Sequence, residues 1–332
     1  MDFFKKILGE YGISGKEGNI RKVIIEELKE LSLDISVDNI GNLIVKKINN
    51  KNEGSIALCA HMDEVGFIVT EILSDDLIRI EPIGGTNCRY LHGKRVVVGN
   101  QKKEGTIWIE QLQYHYSENY KRSDREVARN ICVYLDLKCN DISLGDYVFF
   151  KENYKFLGGK LVSSKALDDR AGCYIIVNLL KRIKNKNLIA YFTVQEETGL
   201  YGSQYLDIDE TIEELIVIDC TPVDKSRMLN LGGGPIINIS DRFAMYNRIY
   251  YKKIIKFANE ISIPIQIKNE ENGATDAANI NKKGIIKNIA SIGVPCKLIH
   301  TSNTLINMDD MHKTEDMIYF YIENKVGERI NI

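Results

Sequence analysis

The sequence has no C-x-x-C pair, and its seven cysteines (Cys59, Cys88, Cys132, Cys139, Cys173, Cys220 and Cys296) are scattered and odd in number. That excludes a zinc ribbon and argues against a disulfide framework; free, mostly buried thiols in a reducing cytoplasm suit the spacing better. An excess of one charge is missing too. Lys and Arg total 44 against 46 Asp and Glu, a net charge of -2, so no basic face for nucleic acid is expected. No stretch approaches the roughly 18 apolar residues of a membrane span. The opening M-D-F-F-K-K-I-L-G-E-Y has neither the apolar core nor the cleavage site of a secretory signal. Internal repeats and low-complexity linkers are absent. The expectation is a soluble, cytoplasmic chain without nucleic-acid or membrane partners. Its 332 residues can bury a large core, as two domains or as one with a substantial insertion.

What is present alternates between helical and strand patterns. Residues 2–11 read as a short amphipathic helix that Gly12 to Gly15 breaks, and Ser14 with Glu17 fits an S-x-x-E capping box for a second helix ending near Leu31. L-D-I-S-V-D and N-L-I-V-K-K predict paired strands about a turn at residues 39–42. Ser55 to Ala60 predicts a buried strand that delivers His61-Met62-Asp63-Glu64 at its end. From about Thr70 to Lys160 the texture changes to short strands with frequent turn signals. Residues 70–160 therefore read as an inserted small all-β domain, framed by segments 1–69 and 161–332 of one discontinuous α/β domain. His92 and His115 lie in the insert without ligand-like neighbours and are assigned to its surface or an interface. The charged stretch Ser117 to Arg129 reads as a loop or exposed helix.

Polar residues then recur where apolar runs stop. Leu188 to Val194 leads into Gln195-Glu196-Glu197, E-L-I-V-I into Asp219, and P-C-K-L-I into His300. A-L-D-D-R-A-G-C opens a helix, which needs only one of its aspartates as a cap. Asp169 stands nearer the helix start, and Asp168 is left as a candidate ligand. Each of these residues alone is an ordinary turn or cap residue. Together, in an α/β fold with a mixed, mainly parallel sheet flanked by helices, such strand ends converge on one edge. His61, Asp168, Glu197, Asp219 and His300 would then offer two imidazoles and three carboxylates. That set suits two divalent ions of zinc type with one carboxylate bridging, holding a water or hydroxide between them. Asp63 shares a face with His61 in extended backbone and can orient its imidazole. Glu196, beside a ligand but not needed as one, is the candidate general base.

The set H-M-D-E-V-G, A-L-D-D-R-A-G-C, Q-E-E-T-G-L-Y-G-S, Asp219 and the late His300 resembles the M42 family of metallo-aminopeptidases, which includes glutamyl aminopeptidases and tetrahedral peptidases. G-I-S-G-K-E near the start, I-G-G at Ile83 to Gly85 and G-A-T-D-A at Gly273 to Ala277 fit as well. The resemblance covers nearly the whole chain. It implies a zinc-peptidase-like fold and hydrolysis of N-terminal residues from short peptides. It also implies two divalent metal ions per subunit, Zn²⁺ before Co²⁺: His61 and Asp219 on one, Glu197 and His300 on the other, and Asp168 on both. Asp63 would orient His61, and Glu196 would take a proton from the metal-bridging water and pass it to the leaving amine. A cis peptide after Asp168, a β-barrel-like insert serving dimerisation, and homo-oligomers from dimers to tetrahedral dodecamers are further implications.

Three departures stand out. Ala274 occupies a position where the family often has Gly, and Ala would be strained there if the position needs positive φ. Thr301 follows His300 where Ser is usual, and Trp108 to Arg129 matches poorly. The alternatives are an amidohydrolase or deacylase of the related M20 type, sharing the metals but not the substrate, and a non-catalytic structural or binding homologue. A glycosidase is discounted because the carboxylates are committed to metal and the single Trp offers little surface for a sugar.

Overall fold

In the computed structural model, residues 2–109, 130–138, 140–224, 226, 228–269 and 273–324 are described. His115 and the stretch over 117–129 lie outside them. Continuous apolar runs bury both faces of a strand and alternating runs bury one, and the chain uses the two patterns for two sheets. All residues of S-I-A-L-C-A-H and L-I-A-Y-F-T are buried, whereas L-I-R-I alternates.

The first sheet is built from β1 (Asp34–Val37), β2 (Leu43–Lys47), β3 (Ser55–His61), β10 (Lys155–Leu157), β11 (Leu161–Ser164), β12 (Leu188–Thr193), β13 (Ile212–Pro222), β14 (Ile236–Asn238), β15 (Gln266–Lys268), β16 (Asn288–Lys297) and β17 (Thr304–Asn307). Its order is β1-β2-β12-β3-β13-β16-β17-β11-β10, with β14 and β15 added beside β16. The four central strands are parallel, and the strands towards both edges are antiparallel. Helices α1 (Asp2–Gly9), α2 (Gly18–Leu28), α3 (Leu167–Arg182), α5 (Arg248–Glu260) and α7 (Met308–Asn324) bury apolar residues against one face. The other face is covered by α6 (Asp276–Lys282) and the segment that follows α4 (Tyr201–Tyr205).

The second sheet is a closed barrel of β4 (Gly66–Ile72), β5 (Leu77–Ile83), β8 (Ile131–Leu135), β7 (Lys103–Ile109), β6 (Arg95–Val98) and β9 (Tyr147–Phe150), in that order around it. Phe67, Ile80, Val96, Ile107, Val133 and Phe150 belong to its separate core. The barrel strands span Gly66 to Phe150, against an expected insert of 70–160. β4 enters directly from the end of β3, and β10 already hydrogen-bonds in the large sheet.

Two local expectations are corrected. Ser14 and Glu17 do not form a capping box: α2 starts at Gly18 without a side-chain cap, because the Ser14 hydroxyl donates to Asp63 and the Glu17 carboxylate accepts from the Gln195 N–H. Strand β13 does not stop at Asp219 but runs on to Pro222, since its pairing with β16 continues to Pro222 opposite Cys296.

The joint between the two sheets is a buried ion cluster. Glu64 accepts hydrogen bonds from the Gly12 N–H (2.9 Å), from Lys165 Nζ at both oxygens (2.9 Å each) and from Arg170 Nη2 (3.3 Å). All three side chains are buried, and burial pushes the Lys165 ammonium pKa down. Removing Glu64 would take from two buried cations the carboxylate they share, which costs far more than losing a surface pair. Glu64→Ala is expected to lower stability by about 3–5 kcal/mol, read as a shift in the urea midpoint. An unchanged midpoint would mean that the cluster contributes nothing.

Candidate active site

Parallel strands end on a common edge, and here β3, β12 and β13 deliver their polar residues side by side. Thr193 pairs with His61, and Asp219 pairs with Gly293 on β16. His61 turns its Nδ1 towards Asp63, 3.2 Å from the backbone carbonyl and 3.4 Å from Oδ1. Its Nε2 then faces inward, 3.4 Å from Asp168 Oδ1 and 3.8 Å from Asp219 Oδ1.

His300, in the turn after β16, donates from Nδ1 to the Gly85 carbonyl at 2.7 Å. A carbonyl only accepts, so the ring carries its proton there and Nε2 is left facing Asp168 Oδ2 (3.3 Å) and Glu197 Oε2 (3.2 Å). Asp168 thus lies between two imidazoles with one oxygen towards each. A Cβ at Gly85 would come within 3.3 Å of His300 Nδ1, which gives the I-G-G motif its physical reason.

Asp168 is presented by an irregular entry to α3. Ala166 has φ +54°, the Asp168–Asp169 peptide is cis, and both aspartates depart from helical φ/ψ. Asp169 Oδ1 accepts from the Gly172 N–H at 2.9 Å, so it caps the regular part of the helix and Asp168 is free of that duty. Asp168 Oδ1 is buried without a hydrogen-bond partner. Glu196 and Glu197 follow β12 with their N–H groups donating to Asp63 Oδ1 (2.9 Å) and Oδ2 (3.1 Å). Asp219 Oδ1 accepts from the Cys220 N–H at 2.6 Å.

The electrostatics show what this cluster lacks. Burial, reinforced by neighbouring carboxylates, holds the carboxyls of Glu196, Asp219 and Asp169 well above the usual range. It pushes Glu197 up to about 8. Burial opposes charge on His300, yet Glu197 and Asp168 push it up to about 9. Burial likewise opposes charge on His61, and Asp168 and Asp63 nevertheless raise it well above its ordinary value. Asp168 moves the other way: burial would raise it, but the two imidazoles outweigh that and lower it. Buried acids so crowded resist ionising unless positive charge faces them. Divalent cations would supply that charge, and the donor set fits them. His61, Asp168 and Glu197 offer ligand atoms within 4.8 Å of one another, as do His61, Asp169 and Asp219.

A cleft of about 520 Å³ opens over these groups. His61, Asp168, Glu196, Glu197, Asp219 and His300 line one side, and Arg242, Phe243, Lys268 and Ala274 are also among its lining residues. Positive φ falls on Gly273 (+83°) and not on Ala274, so Ala at that position brings no backbone strain. His92, as expected, stands apart from this cluster: its Nδ1 accepts from the Ile109 N–H in the barrel. Ser14, Glu17, Gly85, Arg242 and Lys268 were not assigned to the site from sequence. The I-G-G and G-I-S-G-K-E motifs contain three of them, and nothing in the local pattern marked the two basic residues.

An α/β sheet with a buried acid–imidazole centre at its parallel strand ends defines the class as a peptidase-type hydrolase, and known proteins match it. The sequence model of the family described as M42 glutamyl aminopeptidase matches residues 41–317. A glutamyl aminopeptidase of Lactococcus lactis is 27% identical over 99% of this chain and 98% of its own length. A lysyl aminopeptidase of Pyrococcus furiosus is 25% identical over 94% of each chain. The solved TET1 peptidase of Pyrococcus horikoshii, described as assembling into a tetrahedron or a large octahedral shell, superposes with a TM-score of 0.83. It is 30% identical, over 97% of this chain and 98% of that one. The chain belongs to the M42 family, whose members are aminopeptidases, hydrolases that act on peptide bonds. Among the described residues no helix is long and apolar enough to cross a membrane.

The proton balance yields a test on metal-free protein. Glu197 (4.5 raised to about 8) and His300 (6.5 raised to about 9) both hold protons more tightly folded than unfolded. Stability must then fall as pH rises through the window between those values. The melting temperature of chelator-stripped protein is expected to drop between pH 6.5 and 9, and saturating Zn²⁺ should flatten the slope. A flat metal-free profile would contradict the charge balance described.

Proposed function

We propose that this protein is a di-metal aminopeptidase that removes N-terminal residues from short peptides. The observation that carries the reading is Asp168, set between two imidazoles that each have a second carboxylate partner. His61 and Asp219 would hold one divalent ion, Glu197 and His300 the other, and Asp168 both, with Zn²⁺ the first choice for an N/O set and Co²⁺ the second. When bound, such ions polarise the scissile carbonyl and make water acidic near neutral pH. The remaining chemistry falls to the protein. Asp63 and the Gly85 carbonyl hold the two Nδ1 atoms, so that both Nε2 atoms face inward. Glu196 serves as general base: burial raises its proton affinity, its backbone is anchored on Asp63, and its carboxyl takes the proton of the attacking water and returns it to the leaving amine.

The family name does not choose the substrate, since one relative is a glutamyl and another a lysyl aminopeptidase. The cleft supports an acidic N-terminal side chain. Arg242 lines it, and its neighbour Asp241 is already engaged by the Phe243 and Ala244 N–H groups and the Tyr246 hydroxyl.

In this reading the domain expected as residues 1–69 and 161–332 is catalytic, and the insert expected as 70–160, whose barrel strands run from Gly66 to Phe150, serves dimerisation. Exposed Trp108 and Tyr134 on the barrel support that role, and the TET1 assemblies support a homo-oligomer between dimer and tetrahedral dodecamer. The six described cysteines, all buried, suit the cytoplasm.

Glu196→Gln is expected to keep its metal by elemental analysis and to lose about 10²–10⁴-fold in kcat on aminoacyl p-nitroanilides. Retained turnover in the loaded variant would remove Glu196 from the role of base. Arg242→Ala should raise KM for a glutamyl anilide about tenfold, or about 1.4 kcal/mol, and leave a leucyl anilide unaffected. Equal effects on both substrates would refute the acidic preference.

A further inference from the structure

The loop G-I-S-G-K-E, residues 12–17, lines no part of the cleft, yet it braces the site from behind. The Gly12 N–H reaches Glu64 and the Glu64 N–H returns to the Gly12 carbonyl at 3.0 Å, while Ile13 forms a parallel bridge to Glu64. Ser14 Oγ donates to Asp63 Oδ2 at 2.6 Å. Glu17 Oε1 accepts from the Gly15 N–H (2.6 Å) and, across 178 positions of sequence, from the Gln195 N–H (3.1 Å).

The consequence lies in the turn that carries the two glutamates. Gln195, Glu196 and Glu197 present three successive N–H groups, and all three end on buried carboxylates: Glu17, Asp63 Oδ1 and Asp63 Oδ2. Gln195 stands at φ +54°, a left-handed conformation that non-glycine residues rarely adopt. It must therefore be held from outside. Glu17 supplies that hold on one side, and the turn's own bonds from Gly199 and Leu200 N–H to the Glu196 carbonyl supply it on the other. Both Ser14 and Glu17 are buried, so neither is a solvated surface group.

We propose that Glu17 and Ser14 are positioning residues for Glu196. Glu17 fixes the amide that precedes the base, and Ser14 fixes the carboxylate that carries the next two amides. The proposal rests on the reading of Glu196 as general base. Neither residue touches the cleft, so their loss should misdirect the proton transfer without altering substrate binding. That separates kcat from KM, and small displacements of a catalytic group are enough to cost about 10²-fold.

The test compares wild type with Glu17→Ala, Glu17→Gln, Glu17→Asp, Ser14→Ala and Glu196→Gln, each loaded with Zn²⁺ and assayed for kcat, KM, bound metal and melting temperature. Glu17→Ala is expected to lose about 10–100-fold in kcat, with KM within twofold and metal content unchanged. Glu17→Gln keeps the same acceptor oxygen and should recover to within about threefold. Glu17→Asp keeps the charge but falls one methylene short, and should behave like Ala. Ser14→Ala should lose about tenfold with the same split.

Wild-type kcat in Glu17→Ala would overturn the proposal, as would a loss that Gln does not repair or that appears only as lost metal or lost folding. Should Glu17→Ala fail to fold, the Gln and Asp variants decide: Gln fast and Asp slow supports positioning, and equal rates overturn it. Glu196→Gln separates the two layers. An active Glu196→Gln refutes the base itself, whereas an inactive one beside a fully active Glu17→Ala refutes only the positioning.

Discussion

Asp63 has no exposed surface, and an ionised carboxylate so placed must find donors for both of its oxygens. It finds them on segments far apart in the chain. Ser14 comes from the N-terminal loop, His61 from the end of β3, and the Glu196 and Glu197 amides from the turn after β12. Burial alone would raise its pKa, but these contacts outweigh it and lower it instead. The imidazole and the two glutamates are thereby held in one frame by a side chain that faces none of the open cleft.

The other half of the centre depends on a contact between the two sheets. Gly85 follows the barrel strand β5, and its carbonyl fixes the ring of His300, which follows β16 of the large sheet. A Cβ at Gly85 would crowd that ring, 3.3 Å from its Nδ1. The barrel is accordingly more than an appendage, since the orientation of His300 relies on a loop that the barrel supplies. The Glu64–Lys165–Arg170 cluster lies at the same joint. It ties the start of β4 to the entry of α3, where Asp168 is presented.

Around this frame the centre carries more buried acid than its imidazoles can offset. Asp168, with an imidazole on each side, is driven towards its charged form, as Asp63 is by its own donors. Glu197, Asp219 and Glu196 are each driven towards the neutral form. The scaffold thus holds a charge deficit in place by packing and by backbone hydrogen bonds to Asp63 and Gly85. The same side chains are the ones that could hold a metal ion.

Much of this was legible in one dimension. Fully apolar runs predicted β3 and β12, because strands buried on both faces admit little else. A polar residue after such a run predicted where His61, Glu196, Glu197 and His300 would emerge. The double aspartate before an apolar helix raised the question of which one was a cap, and Asp169 proved to cap the helix. Ser14 and Glu17 misled as a capping box because S-x-x-E has the same spacing whether its side chains bond locally or across the fold. The distant acceptor and donor, Asp63 and Gln195, were invisible to that pattern. Arg242 and Lys268 carried no local signal at all, since a basic residue in a loop looks the same facing solvent as facing a cleft. Sequence by itself determined the residue types and the strand ends at which they appear, because burial periodicity is a local property. Only tertiary structure decided which carboxylates share an imidazole, which backbone amides they hold and which cations face them, because those depend on distances between segments that the order of residues does not encode.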